Sequence, residues 1–355
     1  MMKEKVFCGG VAIGGDAPVS IQSMTNTPTA DADATEKQCR RLMEAGCDII
    51  RITVNSEEAA EGFAKVRKKI DAPLVADIHF DYRLALAAIN AGADKIRINP
   101  GNIGEDDRVK AVADAARKAG IPVRVGVNSG SLEKDLLQKY GRVTAVGLAE
   151  SALRNVKRLE DMDFADIVIS LKASDVRMNS EAYRIVNERS SHPLHIGVTE
   201  AGTVNRGIMK SAMGIGSLLL DGIGNTMRVS LTADPVKEVY AARDILGILG
   251  MRDETIDIYS CPTCGRTQVD LERIVLAVEE RIPHIEKVRK NRNSIRVAVM
   301  GCAVNGPGES READIGVACG NGEGIIFSKG EIVKRVKEEN IVSEIERMII
   351  DYEKI

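Results

Sequence analysis

Short apolar segments alternate with amphipathic segments along the first two thirds of the chain. From residue 19 to 232, each apolar segment ends in polar residues and is followed by about 10 to 15 residues of helical periodicity. The pattern predicts eight strands, at residues 19–24, 48–54, 73–79, 94–100, 122–128, 166–172, 194–200 and 227–231. Several of the helices between them are expected to end at a glycine, as at Gly46, Gly92 and Gly120.

Eight consecutive strand–helix units predict an α/β fold in the form of a closed (β/α)8, or TIM, barrel. A doubly wound open sheet is the alternative, but no G-x-G-x-x-G motif follows the first strand and the repeat has no break. The sequence therefore favours the barrel. The hairpin-like segment KVFCGGVAIGGDAP, residues 5–18, precedes the first strand and is expected to plug the N-terminal end of the barrel.

The regular alternation of strand and helix segments ends after about residue 250. A helix in DLERIVLAVEERI, a strand in SIRVAVMG, short strands around DIGVA and EGIIFS, and a final helix from about residue 340 predict a smaller α+β domain. We therefore expect a barrel domain over residues 1–250 and a second domain over residues 255–355, with a short joint between them.

Four cations interrupt otherwise apolar strands: Arg51, Arg97, Arg124 and Lys172. Side chains alternate between the two faces of a strand, and the residues that share a face with these cations are polar or small. The opposite face carries isoleucine and valine, which suit packing against helices. The four cations are therefore expected to point into the barrel near its C-terminal mouth, where the active sites of such barrels lie.

Inward cations are costly unless something neutralises them. The strand-end carboxylates Asp77 and Glu200 are too few to match four cations, so internal salt bridges explain only part of the set. A bound phosphate or diphosphate explains the set better, since arginine and lysine are its usual ligands. Gly222 and Gly224, just before the eighth strand, are expected to allow close backbone approach to this anion.

Two further groups at the strand ends are candidates for chemistry. His79 shares a face with Asp77, although histidines are often structural, as expected for His192 and His284. Glu200, at the end of the seventh strand, is expected to point inward and is the most natural general acid in this mouth, with a salt-bridge role as the alternative.

The second domain carries three spaced thiols. Cys261 and Cys264 form a C-x2-C pair, for which zinc, an iron–sulfur cluster and a redox dithiol are the common uses. Cys302, at the end of a predicted strand in MGCAVNGPGES, adds a third thiol. A metal site or cluster usually needs a fourth ligand, and the spacing leaves Cys319 and Glu309 open as candidates.

Composition narrows the functional classes. The chain is 44% hydrophobic and 28% charged, which is ordinary for a globular protein. Aromatic residues make up 3% and tryptophan is absent, which argues against the stacking platforms that bind single-stranded nucleic acid. A net charge of -3, the lack of a signal-like N-terminus and the lack of a run of roughly 20 apolar residues predict a cytoplasmic protein without a membrane or nucleic-acid partner.

In the cytoplasm structural disulfides are rare, so the remaining cysteines are not expected to form them. Those in the barrel are expected to be small buried hydrophobic residues: Cys8, Cys39 and Cys47.

The two thiol motifs, SCPTCGR and MGCAVNGPGES, resemble those of the (E)-4-hydroxy-3-methylbut-2-enyl diphosphate synthases, bacterial enzymes of the methylerythritol phosphate route to isoprenoids. The resemblance extends over nearly the whole chain and includes IQSMTNT, IIRITV, ADIHF, KIRINPGN, PVRVGVNSGSL, SLKASD, GVTEAG and DGIGNTMRVSLT. So many motifs in the same order are far more specific than any one of them. The chain is similar to the short, two-domain form of the family.

The resemblance implies a TIM barrel joined to a small α+β iron–sulfur domain like those of sulfite and nitrite reductases. It also implies a [4Fe–4S] cluster held by three cysteines and a glutamate, which match Cys261, Cys264, Cys302 and Glu309. Cys319 is not part of the shared motif. Because a carboxylate oxygen holds such an iron less firmly than a thiolate does, Glu309 is also a candidate catalytic residue, as a replaceable ligand.

The barrel residues of the family match particular positions here. The substrate-binding matches are Arg51, Arg97, Arg124, Lys172, Asn99, Asn128 and Ser230. Glu200 matches the catalytic acid of the barrel, and the strand pattern adds Asp77 and His79 to the candidate substrate-binding set.

The implied reaction is the reductive ring opening of 2-C-methyl-D-erythritol 2,4-cyclodiphosphate, in which two electrons enter and water leaves. The product is 4-hydroxy-3-methylbut-2-enyl diphosphate, and the electron donor is reduced flavodoxin or ferredoxin. The resemblance further implies a head-to-tail homodimer, in which the cluster domain of one subunit caps the barrel of the other. From the residues alone, a non-redox barrel enzyme with a structural zinc module and a non-catalytic diphosphate-binding regulator are the competing interpretations.

Overall fold

The computed structural model describes residues 3–252, 256–288, 293–302, 308 and 313–352. It divides into two compact units, Met1–Ile245 and Leu246–Ile355, and the division falls within one helix, Pro235–Ile248. Within the described residues, no helix is both long enough and apolar enough to cross a membrane.

A short antiparallel hairpin opens the first unit, formed by β1 (Lys5–Cys8) and β2 (Val11–Gly14). The strands that follow are β3 (Ser20–Met24), β4 (Ile49–Thr53), β5 (Leu74–Asp77), β6 (Lys95–Ile98), β7 (Val123–Asn128), β8 (Ile167–Lys172), β9 (His195–Gly197) and β10 (Thr226–Arg228). They run parallel in the order β8-β7-β6-β5-β4-β3-β10-β9. A parallel bridge between Ile169 and Leu194 joins β8 to the start of β9, so the eight strands close into a barrel. The predicted barrel is confirmed.

Helices connect the barrel strands. They are α1 (Ala32–Glu44), α2 (Glu57–Arg67), α3 (Tyr82–Asn90), α4 (Pro100–Ile103), α5 (Asp106–Ala119), α6 (Lys134–Tyr140), α7 (Ala145–Glu160), α8 (Val176–Arg189), α9 (Val204–Leu220) and α10 (Pro235–Ile248). Several begin at a side chain that accepts a hydrogen bond from a free backbone N–H of the first turn, as at Asp31, Ser56, Asp81, Thr144 and Asp175. At the other end, the backbone turns to positive φ at Gly46, Gly92 and Gly120, as the sequence predicted.

The hairpin closes the end of the barrel at which the strands begin. Val6, Cys8 and Ile13 are at most 4% exposed and form one apolar cluster with residues from three barrel strands. Those residues are Ile49, Val75 and Val168. The expected plug is therefore present at this end of the barrel.

The second unit is built on a five-stranded sheet in the order β11-β12-β13-β14-β15. Its elements are β11 (Ile256–Ser260), α11 (Leu271–Glu279), α12 (Ile282–Val288), β12 (Ile295–Met300), β13 (Ile315–Gly320), β14 (Glu323–Ser328), β15 (Glu331–Lys337) and α13 (Ile341–Ile350). The first three strands are parallel to one another, whereas β13, β14 and β15 are antiparallel. One face of the sheet packs against α11, α12 and α13 to form the apolar core of this unit.

Candidate functional site

The lumen of the barrel is lined by charged and polar side chains rather than by an apolar core. The four cations that the sequence singled out lie on β4, β6, β7 and β8, and they are at most 9% exposed: Arg51, Arg97, Arg124 and Lys172. Neighbouring residues of the other parity, such as Ile50, Ile96 and Val125, are fully buried. The predicted alternation is therefore present, and it brings four cations into one enclosed space.

Asp77 is the carboxylate around which two of these cations gather. Its oxygens lie 3.7 Å from Nε of Arg51 and 3.3 Å from Nη1 of Arg97, and Nε2 of His79 lies 3.7 Å away. Burial alone would raise the pKa of the Asp77 carboxyl, but Arg51 and Arg97 hold it well below its usual range. Asp77 is thus a permanent anion in this site, and two arginines share its single charge.

The guanidinium of Arg51 donates its hydrogen bonds to a weak acceptor. Its Nε and Nη2 atoms donate to Sδ of Met24, at 3.0 and 2.8 Å, and a thioether is only a weak acceptor. Burial lowers the pKa of Arg51 to about 10, although Asp77 opposes the change. A guanidinium that donates to sulfur inside a protein is well placed to exchange that contact for an oxyanion.

Arg124 spans the lumen. It lies on β7, and its Nη1 donates to Oε1 of Gln22, 3.4 Å away, on the opposite strand β3. Its Nε and Nη2 atoms are buried without a hydrogen-bond partner among the described residues. Burial, and then repulsion from Arg51 and Arg97, lowers the pKa of Arg124 well below its usual value. The centre of the barrel therefore carries positive charge that the described residues do not balance.

Gly126 leaves space for the side chain of Arg97. A Cβ atom at Gly126 would lie 2.5 Å from Nε and 2.8 Å from Nη2 of Arg97, so a larger residue at this position on β7 would displace the Arg97 guanidinium. At the end of the same strand, Asn128 pairs in register with Lys172 on β8. Burial and the charges of Arg51 and Arg124 lower the pKa of Lys172 well below its usual value.

The remaining polar candidates lie around the ends of the strands. Asn99 follows β6 and caps α4 by accepting a hydrogen bond from the N–H of Gly101 at 3.1 Å. Ser230 follows β10 and is half-buried, and the side chain of His79 is 42% exposed beyond the end of β5. These residues lie on the same side of the barrel as the ends of the cation-bearing strands.

Glu200 differs from its expected setting. The sequence placed it at the inward end of a strand, but β9 ends at Gly197 and Glu200 is exposed three residues later. Its φ is +52°, a left-handed conformation that is uncommon for residues other than glycine. Such backbone strain is often found at functional sites, because the surrounding structure must maintain it.

One prediction about this site is wrong. Gly222 and Gly224 precede β10, so they lie at the N-terminal end of the barrel rather than at the mouth. A side chain at Gly224 would lie 2.5 Å from Cδ1 of Ile196, so this glycine serves packing against β9 and not the approach of an anion.

Three charged or titratable groups of the barrel strands were not among the residues expected from the sequence. Lys95 is fully buried on β6, two residues before Arg97 and therefore on the same face. His195 is fully buried on β9, and Arg228 on β10 forms an ion pair with the buried Glu238 at 3.1 Å. The same alternation rule would have found Lys95 and Arg228, since both also interrupt apolar strands.

Cys261 and Cys302 follow neighbouring strands of the second unit. Cys261 comes directly after β11, and Cys302 comes two residues after the parallel strand β12. The backbone N–H of Gly301 donates to Sγ of Cys261 at 3.3 Å. Because parallel strands end at the same edge of a sheet, the fold carries the first and third thiols of the motif to one edge.

Cys264 lies in the loop that follows β11. The loop turns back through a hydrogen bond from the N–H of Thr267 to the carbonyl of Cys264, at 2.9 Å, and the N–H of Gln268 donates to the carbonyl of Gly301 at 3.3 Å. Hydrogen bonds from the backbone and side chain of Arg266 lower the pKa of the exposed Cys264 thiol. This thiol is therefore disposed to be a thiolate, the form that binds metal.

Cys319 has the opposite character. It lies on β13 within the apolar core of the second unit and has no exposed surface. Burial, assisted by Glu338, raises the pKa of its thiol to about 12, which disfavours the thiolate. Glu309, the other candidate for a fourth ligand, lies outside the described residues. Among the residues that the structure does describe, no three cysteine, histidine or carboxylate side chains converge closely enough to hold a metal ion.

Comparison with protein families decides what these two units are. Residues 3–243 match the model of the GcpE TIM-barrel domain, and residues 257–351 match that of the GcpE protein C-terminal domain. The chain belongs to the GcpE family. Membership of the GcpE family confirms the resemblance stated from the sequence, and also the fold class of a barrel followed by a second domain.

Curated relatives of this GcpE protein carry one name, 4-hydroxy-3-methylbut-2-en-1-yl diphosphate synthase (flavodoxin). The protein from Clostridium perfringens is 57% identical over 345 residues, covering 97% of each chain. That from Fusobacterium nucleatum is 54% identical over 97% of this chain and 96% of its own, and that from Caldanaerobacter subterraneus is 53% identical over 98% of each.

Solved structures of other families share the barrel of this GcpE protein. Dihydropteroate synthase from Stenotrophomonas maltophilia superposes with a TM-score of 0.52 at 17% identity, covering 70% of this chain and 97% of its own. The enzyme from Xanthomonas albilineans, bound to 7,8-dihydropteroate, gives a TM-score of 0.50 at 17% identity over 70% and 98% of the two chains. At these identities the likeness concerns the fold alone.

Proposed function

We propose that this chain catalyses the reductive ring opening of 2-C-methyl-D-erythritol 2,4-cyclodiphosphate to (E)-4-hydroxy-3-methylbut-2-enyl diphosphate and water. The names of its relatives confirm the predicted class of reaction, an oxidoreductase step in the synthesis of isoprenoid precursors. The competing interpretation, a non-redox barrel enzyme with a structural zinc module, has no counterpart among these relatives.

The observation that carries the barrel half of the proposal is the surplus of buried cations. Asp77 supplies one negative charge to a lumen that contains the four mouth cations, and two of the arginines already share it. The diphosphate supplies the missing charge and binds Arg51, Arg97, Arg124 and Lys172. Holding the diphosphate fixes the position of the carbon skeleton at the mouth, so that binding energy is used for orientation.

Polar side chains around the mouth complete the substrate site in this proposal. Asn99, Asn128 and Ser230 donate to phosphate or hydroxyl oxygens of the substrate. Asp77 orients Arg51 and Arg97 toward the diphosphate, and His79, beside Asp77, contributes a further polar contact. Each of these side chains belongs to a barrel strand or to the residues just after one.

Glu200 is the proton donor of the proposed reaction. Loss of a hydroxyl group as water consumes a proton, and a carboxyl group at the mouth can supply it. The exposed position of Glu200 allows the group to recover a proton from solvent between turnovers. Its left-handed backbone fixes where the side chain leaves the loop.

The family implies an iron–sulfur group, and the chemistry of the thiols in the second unit suits one, although no three of the described donor side chains converge on one point in this structure. Cys261, Cys264 and Cys302 hold a [4Fe–4S] cluster in this proposal, and Glu309 is its fourth, replaceable ligand. The lowered pKa of the Cys264 thiol favours sulfur in the thiolate form, and the N–H of Gly301 donates to Sγ of Cys261. When bound, such a cluster supplies electrons one at a time from a low-potential donor.

The two units divide the work in the proposal. Residues 1–250 bind the diphosphate, and residues 255–355 hold the cluster. Flavodoxin, which the names of the relatives include, or ferredoxin reduces the protein in the cytoplasm. The active protein is a head-to-tail homodimer in which the second domain of one subunit caps the barrel of the other, as the family resemblance implies.

The proposal is tested with protein purified and assayed without oxygen. The wild-type chain should contain about four iron and four sulfide per chain and convert the cyclodiphosphate when an artificial low-potential reductant is supplied. Arg97→Met should raise KM for the cyclodiphosphate about 10- to 100-fold, because it removes a charge-assisted contact to the diphosphate.

The matched control is Arg40→Met, which removes an exposed arginine that pairs with Glu36 on the outside of the barrel. Arg40→Met should leave KM unchanged. A wild-type protein that holds the cluster yet converts no cyclodiphosphate would overturn the reaction, and an Arg97→Met enzyme with wild-type KM would overturn the site.

A further inference from the structure

A buried carboxylate lies on the helix that follows the last strand of the barrel. Glu238 belongs to the first turn of α10 and is 3% exposed. Because a carboxylate is almost never buried unless it is paired, the partners of this group indicate what it does. The substrate and cluster residues proposed above do not include Glu238.

Four hydrogen bonds reach the two oxygens of this carboxylate. Oε2 accepts from Nε of Arg228 at 3.1 Å and from Oγ of Ser23 at 2.9 Å. Oε1 accepts from Nη2 of Arg228 at 3.2 Å and from the backbone N–H of Leu231 at 3.0 Å. The guanidinium is therefore held by both oxygens at once, a geometry that fixes its orientation as well as its position.

Two of these partners lie on either side of Ser230, a residue of the candidate substrate site. Arg228 is the last residue of β10, and Leu231 directly follows Ser230. One carboxylate thus holds the chain before and after Ser230. The third partner, Ser23, lies on β3, which pairs with β10, so the carboxylate also ties this segment to the neighbouring strand.

Arg228 connects the carboxylate to the cations of the mouth. Its Nη1 donates to Sδ of Met24 at 3.5 Å, the same sulfur to which Arg51 donates. Burial, and then the charges of nearby arginines that include Arg228, lower the pKa values of Arg51 and Lys172. Arg228 therefore acts on the same space as the mouth cations, and its ion pair with the carboxylate decides where its guanidinium lies.

We propose that Glu238 is a positioning residue of the substrate site, which holds Ser230 and the Arg228 guanidinium at the mouth through its bonds to Arg228 and to the N–H of Leu231. This role rests on the proposed function, and Glu238 acts without touching the diphosphate. The charge of Glu238 has the opposite effect, because a carboxylate near the mouth repels an anionic ligand. Removal of the charge separates the two effects by sign: the diphosphate binds more weakly if positioning dominates and more tightly if repulsion dominates.

Titration of the full-length protein, purified without oxygen, with the cyclodiphosphate tests this role. Without a reductant the titration measures Kd and no turnover occurs. Glu238→Gln keeps the size of the side chain and removes its charge, and it should raise Kd about 10-fold because the guanidinium loses its partner and Ser230 is no longer held. In a Ser230→Ala background the same substitution should raise Kd less, since the two residues act on one contact.

Asp94→Asn is the matched control. Asp94 also binds an arginine and a backbone N–H, from Arg67 at 2.6 Å and from Leu74 at 2.7 Å, but it lies at the N-terminal end of the barrel, just before β6. Urea denaturation should show that both substitutions destabilise the protein. Only Glu238→Gln should change Kd. If Glu238→Gln does not fold, Glu238→Asp, which keeps the charge on a shorter side chain, should raise Kd in the same direction.

The possible outcomes distinguish this role from the function on which it rests. A Glu238→Gln protein that binds the cyclodiphosphate as tightly as wild type, or more tightly, would refute the positioning role. An equal rise of Kd in Asp94→Asn would refute it as well, since general loss of stability would then explain the effect. Wild-type protein that binds no cyclodiphosphate would instead refute the proposed substrate.

Discussion

At the scale of single residues, the decisive feature is a carboxylate outnumbered by cations. Alternation along the strands was enough to place Arg51, Arg97, Arg124 and Lys172 in the lumen, because a strand has only two faces. The same rule did not reach Glu200, since the chain leaves the strand at Gly197 and turns through a left-handed residue. No periodicity in the sequence reports such a turn when the residue is not glycine.

Asp77 should dominate the stability of this part of the barrel. Asp77→Asn removes the carboxylate that two buried arginines share, and the free energy of unfolding at pH 7 should fall by about 3–5 kcal/mol. Urea denaturation measures this change. Asp234→Asn is the control, because Asp234 pairs with Arg41 at an exposed position and should cost less than about 1 kcal/mol.

The pH dependence of that difference follows from the depressed pKa of Asp77. The stability that the carboxylate contributes is complete above 3.8, the pKa of an unperturbed aspartate, and is lost as the pH falls below 3.8 through the lower pKa of the folded state. The gap between wild type and Asp77→Asn should therefore be constant from pH 7 to about 5 and narrow below about 4. A gap that widened on acidification would contradict this role.

At the scale of elements, the strands of the barrel could be predicted, whereas two strands of the second unit, β11 and β15, were not. Each barrel strand is a short apolar run, whereas β15 mixes Ile332 and Val333 with lysine, arginine and glutamate. It lies at the edge of its sheet, where charged residues discourage pairing with another chain. Its position, rather than its own hydrophobicity, makes it a strand, and position is a property of the fold.

The pKa of the thiol is lowered at Cys264, in the loop after β11, and raised at Cys319, on β13. The iron content of variants at these two positions should therefore differ. Cys264→Ala should lower the iron bound after anaerobic reconstitution severalfold, because it removes a thiol disposed to ionise. Cys319→Ala should leave the iron content at the wild-type level, since it removes a buried thiol of the apolar core. Equal loss of iron in both variants would contradict the proposed ligand set.

At the scale of the whole molecule, the sequence predicted two units, but their chemistry depended on recognising the family. Spacing alone left Cys319 and Glu309 as competing ligands, because the sequence MGCAVNGPGES has no periodicity that predicts the orientation of its residues. The thiol chemistry of Cys319 now argues against it. The role of Glu309 remains a proposal that rests on the family resemblance.

The proposed dimer makes a prediction about mixed subunits. Arg124→Ala disables the barrel and Cys302→Ala disables the cluster domain, so each homodimer should be inactive. If one subunit's cluster domain serves the partner's barrel, each mixed dimer contains one intact pair. Co-expression of the two variants with different affinity tags should then restore about a quarter of wild-type activity after random assembly. Absence of any recovery in purified mixed dimers would contradict the arrangement.

The β1–β2 hairpin at the N-terminal end of the barrel also affects how ligands enter and leave the lumen. Because Val6, Cys8 and Ile13 close one end of the barrel, a ligand of the lumen has to enter from the C-terminal end. The product must leave by the route through which the substrate enters. A bound product therefore blocks binding of the next substrate molecule. In the proposed reaction several cations hold the diphosphate of the product, so we expect product release to be slow. We therefore expect the rate at which the product leaves the arginines, rather than the chemical step, to limit kcat.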